Sequence, residues 1–304
     1  MKVTVDRLSA IYEVPDSNIP NGTVVLETEL VGENLTKYFS DSTPYAVTLK
    51  DSDGNYLISQ EITINLNGRP YSRTTDENGT AKMNINLNAG EYNVIASFNG
   101  TDDYPSSNTT NVVTILSTVD GSDITKMFKN GTKYSATFVD SLGNLIRNQT
   151  VTFNINGVFY NRTTDENGVA RLNINLVQGT YIITAHNPLT KEKKSNNVTV
   201  LPLIAENNDI VKYYRNGTQY IVKLLDEKGN PSTNTNVTFN INGVFYQKTT
   251  NESGYAKLNI NLRPGNYIIT AEYNGCRVSN NITVLPTLIA EDMVKEFDIL
   301  DQFK

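Results

Sequence analysis

A lysine, an aspartate and an asparagine recur together three times in this 304-residue chain: Lys37, Asp51 and Asn111; Lys126, Asp140 and Asn196; Lys212, Asp226 and Asn280. Each sits in a run that alternates apolar with polar residues, and each shares its parity with the apolar members. Tyr220, Val222, Leu224 and Asp226 form one such row, as do Asn280, Ile282 and Val284, and Ile210, Lys212 and Tyr214. Alternate residues of a strand point to one face, so all three residue types should face the core or its rim. Burying a charge is costly unless it is paired, and two chemistries would meet that cost. In one, Lys and Asp form an ion pair at the rim, the Asn caps a strand end and the Asp opens an Asp-x-x-Gly turn. In the other, a lysine made neutral by burial attacks the Asn side-chain carbon. A C–N bond forms, ammonia leaves, and a protonated acid polarises the carbonyl and relays protons. The product would be an isopeptide tie between the first and last strands of a unit.

The elements that must position these residues are strands. Asn-Gly followed by an apolar-polar run occurs at Asn67, Asn156 and Asn242, and each is trailed by Thr-Thr-Asp-Glu-Asn-Gly or a close variant, at Thr74, Thr163 and Thr249. Asn-Gly supplies the positive φ angles of a type I′ turn, so each motif predicts a hairpin. Turns are also predicted at Lys228-Gly229-Asn230-Pro231 and Pro264-Gly265. Seven strands per unit follow. In the third unit they lie near residues 210–214, 220–226, 236–242, 244–249, 256–262, 267–273 and 280–285.

Lys37, Lys126, Lys212 and Lys295 mark the period, at intervals of 89, 86 and 83 residues (126 − 37, 212 − 126, 295 − 212). That suits a small all-β domain better than a solenoid coil or propeller blade. The expected division is 1–36, the tail of a preceding or degenerate unit; 37–120, 121–205 and 206–287, three complete domains; and 288–304, the start of a further unit. Met293, Phe297 and Leu300 would also suit one face of a short helix. Connectors between units are short and not Gly/Ser-rich, which favours a stiff rod over free modules. Met1-Lys2-Val3-Thr4-Val5 reads as a strand rather than a leader, so the chain is expected to be a piece of a longer protein.

Composition narrows the function. The net charge is −6 with both signs interspersed, so no basic stripe tracks a phosphate backbone and nucleic acid is not an expected partner. No apolar run is long enough to cross a membrane. A single cysteine, Cys276, excludes a disulfide framework and a Cys-based zinc site, and a single histidine, His186, removes the commonest general base from two of the three units. Both residues read as incidental surface positions in the loop before a last strand. Asn-x-Ser/Thr recurs from Asn21 to Asn281, a pattern that suits an extracellular protein. No catalytic grouping recurs, and no cofactor or metal is expected. Asp51-Ser52-Asp53-Gly54 could open a calcium loop, but the other two units lack the middle carboxylate and a turn is the better reading. Asn rows at Asn65, Asn67, Asn84, Asn86, Asn154, Asn156, Asn173 and Asn175 would face outward, either as a solvated sheet or as amides offered to a glycan. Tyr104 and Pro105, in a long loop, are a further contact candidate.

Gly90-x-Tyr92, Gly179-x-Tyr181 and Gly265-x-Tyr267 sit where sandwich domains place a tyrosine corner. With seven strands per unit they give an all-β fold of tandem immunoglobulin-like β-sandwich domains. Leu262 to Ala271 and the Asn99 to Ser107 loop resemble bacterial-type immunoglobulin-like repeats. The Asn/Ile/Tyr-rich units are similar to tandem repeats of adhesin-like surface proteins of methanogenic archaea. That resemblance covers about residues 37–285. It implies a non-catalytic stalk or adhesion region, extracellular and monomeric, meeting a host or microbial cell-surface protein or glycan. It also implies a precedent for the Lys–Asn tie, since bacterial surface adhesins carry such crosslinks with the same order of Lys, acid and Asn. A carbohydrate-binding module and an accessory region of a cell-wall hydrolase are the other readings.

Overall fold

A computed structural model describes residues 27–290. The expected first strand at Met1, the helix face at Met293 and the fourth lysine, Lys295, lie outside the described residues. By internal contacts the chain divides into two compact units, residues 1–117 and 118–304. The first contains one sandwich and the second contains two.

Among the described residues each sandwich has eight strands. The first runs β1 (Thr28–Gly32), β2 (Leu35–Tyr38), β3 (Tyr45–Asp51), β4 (Glu61–Leu66), β5 (Arg69–Thr74), β6 (Thr80–Met83), β7 (Gly90–Phe98) and β8 (Ser107–Leu116). The second runs β9 (Val119–Gly121), β10 (Ile124–Met127), β11 (Lys133–Phe138), β12 (Thr150–Ile155), β13 (Val158–Thr163), β14 (Val169–Asn173), β15 (Gly179–His186) and β16 (Lys193–Leu201). The third runs β17 (Ile204–Ala205), β18 (Ile210–Tyr213), β19 (Gln219–Leu224), β20 (Asn236–Ile241), β21 (Val244–Thr249), β22 (Tyr255–Asn259), β23 (Gly265–Tyr273) and β24 (Cys276–Leu285). In each, a three-stranded sheet (β1-β3-β6 in the first) faces a five-stranded one (β2-β8-β7-β4-β5), and the other two repeat both orders. Pairing is antiparallel except between the lysine-bearing strand and the last strand, which run parallel. The fold is therefore all-β, as tandem immunoglobulin-like sandwiches.

The sequence reading gave seven strands and missed the opening one. β1, β9 and β17 begin upstream of residues 37, 121 and 206, and pair with the strand that carries the buried tyrosine. Strands of two to five residues that bury one or two side chains show too little alternation to be read.

Alternation set the cores. Tyr134, Ala136 and Phe138 are buried beneath Val151, Phe153 and Ile155, with Tyr134 and Phe153 edge to face at 5.5 Å. Tyr220 and Phe239 repeat the pair at 5.6 Å. The hairpins close as read: Asn67-Gly68, Asn156-Gly157 and Asn242-Gly243 have φ of 55° and 77°, 53° and 76°, and 52° and 77°. The tyrosine corners also form, with the hydroxyls of Tyr92, Tyr181 and Tyr267 donating to the main-chain oxygens of Asn88, Val177 and Arg263 at 2.7, 2.9 and 2.9 Å.

Candidate functional site

All three lysines are buried, as their parity requires. Their partners are main-chain carbonyls. Lys37 Nζ donates to the oxygens of Asp41 and Thr43 at 2.7 and 2.9 Å. Lys126 Nζ donates to those of Asn130, Thr132 and Ile174, and Lys212 Nζ to those of Asn216, Thr218 and Ile260. The loop that follows each lysine is shaped for this. Asn130 Oδ1 accepts from the Thr132 amide and hydroxyl at 2.8 and 2.5 Å, Asn216 does the same with Thr218, and Asp41 with Thr43. The side chain thus curls the loop until two carbonyls point at the ammonium. Burial pushes the Lys37 and Lys126 ammonium groups below the ordinary lysine range, against the opposing charges of Asp41 and Glu227.

The asparagines face a different partner. The buried hydroxyls of Tyr45, Tyr134 and Tyr220 donate to Asn111, Asn196 and Asn280 Oδ1, each at 2.7 Å. Asn111 Nδ2 donates to the Gly32 carbonyl at 2.8 Å. In the second and third sandwiches Asp123 and Asp209 accept from the two successive asparagines Asn196-Asn197 and Asn280-Asn281. A glycine makes room: a Cβ on Gly121 would stand 2.3 Å from the Tyr134 hydroxyl, and one on Gly32 would stand 2.4 Å from Asn111 Oδ1.

Asp51, Asp140 and Asp226 close turns instead. Asp51 Oδ1 accepts from the Asp53 and Asn55 amides at 3.0 and 2.8 Å, and its other oxygen takes the Asn55 side-chain amide at 3.1 Å. Asp140 and Asp226 repeat the pattern with Asn144 and Asn230. Burial pushes the Asp51 carboxyl up, but hydrogen bonds from Asn55, Asp53 and Gly54 outweigh it and hold the group below the ordinary carboxylate range. Both oxygens are engaged within the turn, which is not the open cage a calcium ion would need.

The three residue types therefore do not converge in this structure, which does not bring the expected crosslink partners together. Lys37 lies beside Ile115 on β8, whereas Asn111 is four residues earlier, about 13 Å along the strand. Lys126 beside Val200 and Lys212 beside Val284 keep the same offset from Asn196 and Asn280. Asp51 ends the strand that Tyr45 begins, so it stands at the far end from the lysine loop. The carboxylates that touch Asn196 and Asn280, Asp123 and Asp209, are held below the ordinary range by the amides of Asn197 and Asn281, which disfavours the protonated acid that a relay needs. The Lys–Asp pair of the other reading does not form either, since the lysines bond carbonyls rather than Asp51, Asp140 or Asp226, although its Asp-x-x-Gly turns do close. Asp123 and Asp209 were missed, although their signal was legible: Asn34, Asp123 and Asp209 each precede the lysine by three residues.

The Thr-Thr-Asp motif is structural as well. Thr75, Thr164 and Thr250 are buried, and their hydroxyl oxygens accept from the Gln60, Gln149 and Thr235 amides at 2.9, 3.1 and 3.0 Å. Asp76, Asp165 and Asn251 then close the next turn.

Two features face outward or join sandwiches. The first is an open groove of about 900 Å³ on the five-stranded sheet of the third sandwich, with exposed Val211 and Ile268 set among Asp209, Asn242, Asn266 and Asn281. The second joins the second sandwich to the third. Phe128 packs against both cores, and Met127 against the third. Around them Lys129 Nζ donates to Asn274 Oδ1, Asn130 Nδ2 to the Glu227 carbonyl and Gln178 Nε2 to the Arg277 carbonyl, each at 2.7 Å. Cys276, read as a surface residue, is fully buried here, with its sulfur 3.6 Å from Gln178 Oε1. The unread turn Asn274-Gly275, with φ of 48° and 78°, brings it into the first position of β24. His186 ends β15 and meets the Phe159 ring edge to face at 6.1 Å. Tyr104, the contact candidate in the long loop, packs partly against the first core.

No family model and no curated protein matches this sequence. Among solved structures, the chain is similar to the I9-I11 tandem from titin, at 14% identity over 86% of this chain and 100% of that one, with a TM-score of 0.31. A structure described as bearing on host cell surface retention of a 1.5-MDa bacterial ice-binding adhesin matches at 11% identity, 87% and 99% coverage and a TM-score of 0.27. The Bacteroides ovatus glucan-utilisation protein SGBP-B, in complex with a mixed-linkage heptasaccharide, matches at 13% identity, 86% and 71% coverage and a TM-score of 0.24. Likeness this loose carries no functional argument.

Proposed function

We propose that this chain is a non-catalytic segment of an extracellular surface adhesin, stiff across its second and third sandwiches, which holds a binding region away from the cell or makes weak repeated contacts itself. The observation that carries this reading is Phe128, shared between the cores of two successive sandwiches and ringed by three hydrogen bonds between them. Sandwiches joined through a shared aromatic act as one body, whereas independently tumbling modules keep separate cores. The buried lysines, tyrosines and threonines work in the same direction, because each ties a loop or sheet to the rest of its sandwich without a disulfide. The test is the alignment of the full chain in a dilute liquid-crystalline medium by NMR. Residual dipolar couplings from the second and third sandwiches should fit one alignment tensor; two unrelated tensors would end the stiff-segment reading.

A second reading, a carbohydrate-binding module, is favoured by the groove beside Ile268. Its paired aliphatic side chains and amide rim suit the alternating apolar and hydroxyl faces of a neutral glycan. A soluble glycan array with the full chain decides it: clean negatives across microbial and plant glycans would remove this reading and leave the first intact.

A further inference from the structure

The outermost strand on one side of each five-stranded sheet, β5, β13 or β21, is an edge with no neighbour on its outer side among the described residues. The hairpin geometry dictates which main-chain groups are free. In a two-residue type I′ hairpin the residues flanking the turn bond each other, so Val244, Tyr246 and Lys248 bond inward to β20. Phe245, Gln247 and Thr249 then direct their N–H and C=O groups outward. Free groups of this kind are a template for another strand, and proteins normally blunt them.

The three repeats blunt this edge to different degrees. On β5 the first outward position is Pro70, which has no N–H to offer, and Arg73 donates to the next outward carbonyl, that of Ser72, at 2.6 Å. On β13 the proline is replaced by Phe159, but Arg162 still covers the Asn161 carbonyl at 2.6 Å. On β21 both devices are gone. Phe245 stands at the proline position, and Lys248 makes no such bond to Gln247 among the described residues. Every residue of β21 is exposed, including Val244 at 50%, Phe245 at 67% and Tyr246 at 38%.

We propose that β21 is a docking strand whose partner is β21 of a second copy of this chain, paired antiparallel about a two-fold axis at Gln247. This register sets Gln247 opposite Gln247 as a hydrogen-bonded pair and Phe245 opposite Thr249. It sets Lys248 opposite Tyr246, where the ammonium meets an aromatic ring rather than its own copy. Centring on Lys248 would oppose like charges. The two five-stranded sheets become one of ten strands. An edge of six residues buries less than a standard protein interface, so the pairing is weak between free chains and gains strength where many chains are tethered to one surface.

The test is sedimentation equilibrium of the full chain up to about 1 mM. The expected result is a monomer–dimer equilibrium that Phe245→Pro weakens by at least about tenfold, because it removes the outward N–H from both copies. The variant is safe for the fold, since Pro70 already occupies this position in the first repeat. Lys248→Arg, which copies the cap of the second repeat, should weaken the dimer in the same direction. A wild-type chain that stays monomeric throughout, or a dimer that both variants leave unchanged, overturns the proposal. Either outcome leaves the stiffness of the segment, read from dipolar couplings, untouched.

Discussion

The Tyr134 hydroxyl and the Asn196 side chain meet at 2.7 Å across the two sheets of the second sandwich, one from the strand that follows the lysine loop and the other from the last strand. The same contact joins Tyr45 to Asn111 and Tyr220 to Asn280. Replacing Tyr134 by Phe keeps the edge-to-face packing on Phe153 but removes the donor. We expect a loss of about 1–3 kcal/mol in urea unfolding, the cost of a polar group left unpaired in a largely buried site. A loss near zero would mean that water replaces the phenol.

These tyrosines also set an alkaline limit. Burial pushes the hydroxyls of Tyr45 and Tyr134 up to about 12, and that of Tyr220 further in the same direction. An unfolded tyrosine loses its proton near pH 10. Between the two values the unfolded chain binds fewer protons than the native one, so stability falls as pH rises from about 10. Unfolding midpoints taken between pH 8 and 12 should decline over that window, and less steeply in Tyr134→Phe. A flat profile would contradict the burial.

Lys126→Met keeps the apolar stem but leaves the carbonyls of Asn130, Thr132 and Ile174 without their donor. Destabilisation of about 1–3 kcal/mol is expected by chemical denaturation. The intact mass of the wild-type chain should equal that calculated for the linear sequence. A deficit of one ammonia per sandwich, with the second sandwich's share abolished by this substitution, would restore the covalent tie that the strand register argues against.

Asn156 holds φ at 53°, where alanine is strained. Asn156→Ala should cost about 1–2 kcal/mol, whereas Asn154→Ala, on the sheet face of the same hairpin, should cost far less. Equal effects would show that the turn does not set the register of β12 and β13.

Phe128→Ala should separate the melting of the second and third sandwiches. Calorimetry of the full chain would then show a new, lower transition, and the dipolar couplings would no longer fit one tensor. An unchanged trace would move the coupling to the hydrogen bonds of Lys129, Asn130 and Gln178.

Most of the fold was legible because its signals are local. Asn-Gly dictates the backbone of the turn it occupies, and alternation dictates which face each residue of a strand takes. The buried lysines and the inward tyrosines follow from alternation, and the three tyrosine corners from the equally local Gly-x-Tyr spacing. The candidate site was legible only in part. Parity placed Lys126 and Asn196 on inward faces, and the structure keeps them there. The edge strand β21 was likewise read as a strand, but its exposure depends on which neighbour the sheet order denies it.

The sequence by itself determined the period, the hairpins and the face of each residue, because these depend on contacts within a few positions of chain. Tertiary structure decided which inward residues share a row. Parity has a period of two and says nothing of how far one strand slides along another. That offset comes from packing between strands some 70 residues apart, such as β10 beside β16. It places Lys126 next to Val200 and gives Asn196 to Tyr134, and so makes a hydrogen-bonded brace of residues whose types alone suggested a covalent bond.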